Sequence, residues 1–367
     1  MTKVPYSYLS RQFENIDDLF ENIKNFIPTG DFTLGKPVVE FENRFADLMG
    51  VKHAIGVGSG TDAIKLSLKA LGVGYGDEVI TAANTFIATV GAINEVGATP
   101  IFVDCDDTFC MDVSQLEKAI TSKTKAIVPV HYTGYMTDME TLCNIAKKYD
   151  LPIVEDACQS IMAEFKGIKA GTWGISGAFS LHPLKNLNVW GDAGVIITND
   201  DDFATKLKLL RNHGMSSRDE ITILGYNSRL DSLQAIVGNW LIDQTVEISE
   251  KRISNAAYLD AGLSQIQEIT LPPRHGHMRI VYHLYIVFAE NRDGLYEYCQ
   301  TNDIDCKIHY PIPLYQQPAL QHLNNKAGDF PVTDRHVEKI ISFPVDQHRS
   351  QEELDYIIAT VKSFYDA

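Results

Sequence analysis

Residues Ser180 to Gly194 read SLHPLKNLNVWGDAG and carry a lysine between two apolar segments that are both typical of strands. The first strand is expected over Gly177 to Leu181 and the second over Gly194 to Thr198. Because burial disfavours the charged ammonium, Lys185 in such a place loses its proton more easily than a surface lysine and can act as a nucleophile. A lysine that caps the turn or pairs with Asp192 is an equally good interpretation of this stretch alone.

Short apolar runs alternate with helical patterns in the chain that leads up to this lysine. The runs are HAIGVG, EVITA, TPIFV, AIVPV and PIVEDA, and the helical patterns between them are Thr61 to Leu71, Phe86 to Val96, Val113 to Ile120 and Met139 to Tyr149. This rhythm predicts an α/β fold with three layers, in which helices cover both faces of a mainly parallel sheet. Ligands of such folds bind at the carboxyl ends of the strands.

Helical patterns also precede this region. Apolar residues from Phe13 to Ile27 and from Val38 to Met49 follow helical spacing. The loop between them, TGDFTLGKP, has the glycines and proline of a flexible segment. It is interpreted either as a loop that closes over a ligand or as a plain turn between helices.

The length of 367 residues suggests two domains. We expect a large α/β domain over residues 1–240, which includes the N-terminal helices, and a smaller α+β domain over residues 241–367. An extended helix from Leu230 to Leu263 would lead from one to the other. The smaller domain would contain a strand near Tyr282 to Phe288 and helices near Asp293 to Thr301 and Gln351 to Phe364.

The composition excludes several classes of partner. A net charge of −16, with 48 acids against 32 bases and no basic tract, argues against nucleic acid and against an anionic membrane surface. The sequence shows neither a signal-peptide core nor an apolar run of membrane-spanning length, so a cytoplasmic location is expected. The six cysteines show no zinc spacing, and no metal site is expected.

Two further segments carry candidate chemistry. The turn GVGSGTDA, Gly56 to Ala63, follows a strand and opens a helix, which suits a phosphate. Thr61 stands where the dinucleotide motif needs a glycine, the P-loop ending is absent, and a plain tight turn stays an alternative. Asp156 ends the strand of PIVEDACQS, three residues before Gln159. It needs a cationic or strongly donating partner, or it caps a helix.

A turn that suits a phosphate, an acid at a strand end and a lysine between strands form the set of groups that pyridoxal 5′-phosphate (PLP) requires. The phosphate binds at a helix N-terminus, the ring nitrogen pairs with a carboxylate, and the aldehyde reacts with a lysine.

Motifs that cover essentially the whole chain carry a resemblance to a known family. They are FTLGKPVVEFE, GSGTDAI, EVITAANTFIAT, GATPIFVD, VPVHYTG, VEDACQS, SLHPLKNLNVWGDAG, LRNHG, GYNSRLDSLQA and IHYPIPLYQQP. The chain resembles the DegT-type sugar aminotransferases, which are PLP enzymes of the aspartate aminotransferase fold (fold type I).

The resemblance implies a role for each of a set of cofactor-binding residues. Lys185 would bond to the cofactor and act as the catalytic base, and Asp156 would pair with the ring nitrogen. The implied further contacts are Gln159 to the phenolic oxygen, Phe86 stacked on the ring, and Gly60, Thr61 and Ser180 at the phosphate.

A second group of implied residues concerns the substrate and the partner subunit. Asn227 would reach the cofactor phosphate of a neighbouring subunit, which implies a homodimer with shared active sites. Phe32, Thr33, His309 and Tyr310 would approach the sugar. Phe86 and Tyr310 as core aromatics, and His309 as a merely hydrogen-bonded histidine, are the alternatives.

The resemblance implies that the enzyme moves an amino group from L-glutamate to the carbonyl of a sugar, in the biosynthesis of cell-surface or lipopolysaccharide sugars. One branch of the family has histidine at the lysine position and dehydrates ketosugars, so a PLP-dependent dehydratase is the alternative, and a cofactor-bound regulator is a further one. The sequence of the lysine segment, HPLKNLNVWGD, favours the eight-carbon acid 8-oxo-3-deoxy-octulosonate over a nucleotide-linked ketosugar as the acceptor. Arg211, Arg229 and His309 are the basic groups expected to meet an anionic substrate.

Overall fold

A seven-stranded sheet forms the centre of the larger part of the chain. The computed structural model describes residues 2–367. The strands of this described part of the chain, inside and outside that sheet, are β1 (His53–Val57), β2 (Glu78–Ala82), β3 (Thr99–Val103), β4 (Thr124–Val128), β5 (Val154–Asp156), β6 (Glu164–Phe165), β7 (Ile168–Lys169), β8 (Ser176–Ser180), β9 (Gly194–Thr198), β10 (Ile269–Thr270), β11 (Met278–Arg279), β12 (Tyr285–Ala289) and β13 (Ile340–Phe343).

The strand order across the large sheet is β1, β9, β8, β5, β4, β2 and β3. Single bridges, Ile127 with Ile153 and Val130 with Asp156, join β4 to β5. Every neighbouring pair is parallel except the two made by β9, which runs antiparallel to β1 and to β8. The mainly parallel sheet predicted from the alternating runs is therefore confirmed, with one reversed strand.

Helices pack on both faces of this sheet. The α-helices are α1 (Leu9–Gln12), α2 (Asp17–Phe26), α3 (Lys36–Met49), α4 (Gly60–Ala70), α5 (Ile87–Glu95), α6 (Leu116–Ala119), α7 (Met139–Lys148), α8 (Asp201–Leu210), α9 (Ser232–Leu241), α10 (Thr245–Leu263), α11 (Arg292–Thr301), α12 (Pro331–Lys339) and α13 (Gln351–Tyr365). Side chains on β9 alternate between the faces, because Val195 and Ile197 lie in the core with α3 and α9, and Ile196 lies in the core with α4 and α8. This gives the three-layer α/β/α architecture.

A third core lies in the C-terminal part of the chain. It contains the three-stranded sheet of β10, β12 and β13 together with apolar residues of α10, α11 and α13. Val4 and Tyr132 from the N-terminal part also pack in this core. The division between residues 240 and 241 stays a prediction, since the cores mix residues from both sides of it. No helix within residues 2–367 is long and apolar enough to cross a membrane.

The structure differs from the sequence prediction in two helices. The single helix expected over Leu230 to Leu263 is divided into α9, a 3-10 turn at Ile242–Gln244, and α10. The turn contains no proline or glycine that would signal the division. The helix expected over Val113 to Ile120 is a 3-10 turn followed by the four residues of α6.

Candidate active site

The loop between β8 and β9 presents Lys185 at the carboxyl end of the sheet. The carbonyl oxygen of Lys185 accepts hydrogen bonds from Tyr8 Oη at 3.0 Å and from Asn188 Nδ2 at 2.9 Å. Asn186 Nδ2 donates to Val281 O at 3.0 Å, which ties the loop to the C-terminal part. These contacts fix the backbone of the lysine and leave its amine free to face a cavity.

The amine of Lys185 is buried. Burial lowers its pKa below the ordinary value, although Cys158 and Asp156 act in the opposite direction. Within residues 2–367 Lys185 makes no ion pair with Asp192, so the turn-pairing interpretation does not describe this structure. The Nζ atom lies 3.4 Å from His283 Nε2. Burial and the charge of Lys185 hold the pKa of His283 well below its ordinary value, so that ring is neutral at neutral pH.

Asp156 is buried at the end of β5, one strand away from the lysine loop. Its Oδ2 atom accepts a hydrogen bond from Thr89 Oγ1 at 2.7 Å, and Thr85 Oγ1 lies 2.9 Å from the same threonine oxygen. Its Oδ1 atom accepts from Cys158 N at 3.2 Å. Neither bond supplies a positive charge, so the carboxylate remains available for a cationic group in the cavity.

The N-terminus of α4 also lines the cavity. Ser59 caps this helix, because its Oγ accepts from Asp62 N at 3.1 Å. A Cβ atom on Gly60 would lie 2.8 Å from both Cys158 Sγ and Ser180 Cβ, so only glycine allows the helix to begin this close to β8. The arrangement brings free backbone N–H groups and the hydroxyls of Thr61 and Ser180 together, which suits a phosphate.

Aromatic and amide side chains border the same space. Phe86 precedes α5 and is 50% exposed, so it is not a core aromatic of this chain. The centre of its ring lies 5.9 Å from the centre of the Tyr310 ring. Burial, and to a smaller extent the charge of Asp156, raises the pKa of Tyr310 to about 12. Gln159 Oε1 accepts from Thr133 N at 2.8 Å, which leaves its Nε2 to donate.

His309 has a hydrogen-bond partner and also borders the cavity. Its Nδ1 lies 2.9 Å from Ser342 Oγ, and its ring also borders the cavity. Burial and the charge of Lys185 lower its pKa to about 4, so it is a neutral group and not a cation for an anionic substrate.

One cavity of about 290 Å³ gathers most of the residues that the sequence singled out. Those that line it are Gly60, Thr61, Phe86, Asp156, Gln159, Ser180, Lys185, His309 and Tyr310. Phe32, Thr33 and Asn227 do not line it and lie exposed on the surface. Their roles, and those of the nine lining residues, stay predictions.

Sequence reasoning missed several residues of the cavity. Thr89, His283, Arg252, Tyr6 and Tyr8 all line it. Thr89 could have been found, since it lies in the first turn of the helix that begins directly after Phe86. The others come from segments whose patterns carry no signal of a site.

Two arginines expected to meet an anionic substrate lie elsewhere. Arg211 is buried against Glu42 and donates to Gly56 O at 2.8 Å. Arg229 donates to Asn212 Oδ1 at 3.0 Å. Neither lines the cavity.

PLP fits this set of residues. The lysine with a lowered pKa suits the aldehyde, Asp156 without a basic partner suits the ring nitrogen, and the start of α4 suits the phosphate. Phe86 also lines the cavity and offers a ring face to the cofactor.

Comparison with known proteins agrees with this geometry. Residues 14–362 match the model of the DegT/DnrJ/EryC1/StrS aminotransferase family. The chain is 38% identical over 366 residues to a pleiotropic regulatory protein of Geobacillus stearothermophilus, with 99% of this chain and 98% of the relative covered. It is 36% identical over 369 residues to the dTDP-3-amino-3,4,6-trideoxy-alpha-D-glucose transaminase of Micromonospora megalomicea subsp. nigra, with 99% and 98% covered.

A solved structure gives the same result for the fold. The chain superposes on S. venezuelae DesV in complex with a ketimine intermediate with a TM-score of 0.97, 34% identity and full coverage of both chains. The chain therefore belongs to the DegT/DnrJ/EryC1/StrS aminotransferase family and is a PLP-dependent sugar aminotransferase.

Proposed function

We propose that this enzyme transfers the amino group of L-glutamate to carbon 3 of a nucleotide-linked ketosugar. The observation that carries the proposal is Lys185, whose amine faces the cavity with a lowered pKa. A histidine there would direct the same fold to dehydration. The transaminase relative named above carries a dTDP-linked 3-amino sugar in its name, which supports the sugar class.

Lys185 is the proposed acid and base of the reaction. When bound, PLP supplies an aldehyde that carries the amino group between the two substrates and a ring that accepts an electron pair. In its unprotonated form, Lys185 Nζ would take the proton from the amino-bearing carbon of glutamate and deliver it to the carbon of the cofactor that receives the amino group. His283 Nε2, neutral and 3.4 Å away, adds no positive charge that would compete for that proton.

Asp156 and Gln159 are proposed to hold the ring at its two ends. The two groups that donate hydrogen bonds to Asp156, the Thr89 hydroxyl and Cys158 N, are uncharged. The negative charge of the carboxylate is therefore left for a cationic group in the cavity. This charge would keep the ring nitrogen protonated. Gln159, oriented by Thr133 N, would donate to the phenolic oxygen.

We further propose a homodimer in which Asn227 serves the neighbouring subunit. Asn227 is exposed and lies in the segment that reaches Asp231, which forms a bridge with Thr33. Phe32 is 49% exposed beside them. Three residues expected at the cofactor and the sugar are thus all exposed and lie outside the cavity of their own chain.

The eight-carbon octulosonate is the second candidate for the acceptor. The sequence of the lysine segment, HPLKNLNVWGD, supports the octulosonate as the acceptor. We place it second because the transaminase relative acts, by its name, on a nucleotide-linked hexose.

The reverse reaction tests both candidates, since amino sugars are more stable than 3-oxo sugars. The purified enzyme is incubated with 2-oxoglutarate and one of three ¹⁵N-labelled amino sugars: a dTDP-linked 3-amino hexose, its UDP-linked counterpart, or 8-amino-3,8-dideoxy-octulosonate. Mass spectrometry then follows the label into glutamate. We expect transfer from a nucleotide-linked sugar and none from the octulosonate.

Two results would contradict the proposal. Labelled glutamate from the octulosonate alone would make the eight-carbon acid the substrate. No label in glutamate from any of the three amino sugars would contradict amino transfer, and loss of water from a nucleotide-linked ketosugar incubated with the enzyme and glutamate would identify a dehydratase.

A further inference from the structure

Arg252 is a buried arginine on α10 that lines the active-site cavity and is 2% exposed. Its Nη1 donates to the carbonyl oxygens of Tyr282 at 3.1 Å and His283 at 3.4 Å, and its Nε donates to Gln347 Oε1 at 3.1 Å. The guanidinium lies 5.1 Å from the ring centre of Tyr8. These contacts hold the group rigidly, but Nη2 has no hydrogen-bond partner.

Arg252 differs from the other buried arginines within residues 2–367. Each of the other three pairs with a carboxylate: Arg211 with Glu42, Arg292 with Asp293, and Arg349 with Asp346. Arg252 makes no ion pair in this part of the chain. An unpaired buried charge is costly, and proteins normally compensate it with an opposite charge.

Arg252 and the reactive lysine both contact His283 and both line the cavity. His283 connects the two, because its Nε2 lies 3.4 Å from Lys185 Nζ and its carbonyl oxygen accepts from Arg252. Asp346 also lines this end of the cavity. Its carboxylate lies 2.7 Å from Arg349 Nε and accepts from His348 N at 3.0 Å, so it is already compensated.

We propose that Arg252 binds a carboxylate of the amino donor, with Nη2 as the donor atom. The inference rests on the proposed amino transfer. An amino-acid donor carries a carboxylate on the carbon that bears the transferred amine, so this anion enters the cavity in every cycle. A nucleotide-linked hexose needs no carboxylate at that place. A planar guanidinium with fixed geometry is the group best suited to a carboxylate.

Binding of glutarate to the PLP-loaded enzyme tests the proposal without catalysis. Glutarate has the two carboxylates of glutamate but no amine, so it binds and does not react. We expect isothermal titration calorimetry to show binding of glutarate to the wild type and none of its neutral diamide. Arg252→Lys should weaken glutarate binding about ten- to hundredfold, and Arg252→Met should weaken it further.

Arg292→Lys is the matched control, because Arg292 is also buried but is paired with Asp293 away from the cavity. Its affinity for glutarate should equal that of the wild type. A crystal structure of the wild type with glutarate needs no variant and should place a carboxylate against the guanidinium of Arg252. Carboxylates bound elsewhere would overturn the proposal even if the variants fail to fold.

Other results separate this proposal from the proposed function. Wild-type affinity for glutarate in a folded Arg252→Met enzyme overturns the carboxylate site, whatever the enzyme's activity. Loss of octulosonate binding with retained glutarate binding would assign Arg252 to the acceptor. Failure of the wild type to form 2-oxoglutarate from glutamate would instead reject the proposed amino transfer. The 2-oxoglutarate formed is measured separately by mass spectrometry.

Discussion

At the scale of single residues, the protonation state of Lys185 decides whether the apoenzyme can capture PLP. Only the neutral amine attacks an aldehyde, and burial lowers the pKa of this amine below the ordinary value of about 10.4. The rate of capture should therefore rise with pH and level off below the pH at which free lysine does. The second-order rate constant, measured by absorbance between about pH 6 and pH 11, gives the apparent pKa.

Lys185→Arg is the control for this measurement, since its guanidinium stays charged and should form no covalent product. A rate that continues to rise in proportion to hydroxide beyond pH 10.4 would mean that the cavity does not lower the pKa of Lys185.

Residue by residue, the sequence predicts those parts of the site that follow a strand. Gly60 lies three residues after β1, Asp156 ends β5 and Lys185 follows β8. The carboxyl ends of parallel strands meet at one edge of the sheet. His283 and Arg252 could not be predicted in this way. His283 is 98 residues from Lys185 in the chain, and only the packing of the C-terminal part brings its ring to the amine.

At the scale of elements, the start of α4 depends on the absence of a side chain at Gly60. An added Cβ would lie 2.8 Å from Cys158 Sγ and Ser180 Cβ, so Gly60→Ala must push the helix away from β8. Overpacking of this kind costs about 1–3 kcal/mol. We expect a lower melting temperature and weaker PLP binding, because the N–H groups of α4 and the Ser180 hydroxyl would separate.

Gly91→Ala is the matched control for this substitution. Gly91 lies inside α5, and a Cβ there meets nothing within 4 Å. Alanine should stabilise the enzyme by about 0.5–1 kcal/mol through its higher helix propensity. Calorimetric melting and fluorescence titration of the apoenzyme with PLP measure both effects. Equal melting and PLP affinity in Gly60→Ala and the wild type would contradict the close packing at this helix start.

The reversed strand β9 shows what element-level prediction can reach. The bounds of β9 were predicted from its apolar run, but its direction was not. The physical reason is in the connection: a parallel neighbour needs a crossover of a dozen or more residues, usually helical. The segment from Leu181 to Ala193 is long enough for such a crossover but contains no helix that could cross the sheet, and the chain returns directly as the antiparallel neighbour of β8. This loop also holds Lys185 at the sheet edge.

At the scale of the whole molecule, the cavity is built by distant parts of the chain. Tyr8 near the N-terminus, Lys185 in the sheet domain and Arg252 on α10 all line it. Periodicity predicts each element separately and carries no information on how the elements pack together. The same limit applies to Phe32, Thr33 and Asn227, whose proposed contacts lie in a second chain.

A mixture of two inactive variants tests whether the enzyme is a dimer with shared sites. Asn227 is exposed and outside its own cavity, so we expect each site to combine Lys185 of one chain with Asn227 of the other. Lys185→Ala and Asn227→Ala should each be inactive or strongly impaired. In a hybrid dimer one site has both native residues and the other has neither. With random pairing, half of the dimers are hybrids and half of their sites are intact, so co-expression should give about a quarter of wild-type activity.

Co-expression of Lys185→Ala with the double variant Lys185→Ala/Asn227→Ala is the control and should give no activity. If the mixture is no more active than its parents, Asn227 serves its own chain or no site, and an active monomer in sedimentation would exclude the shared site altogether.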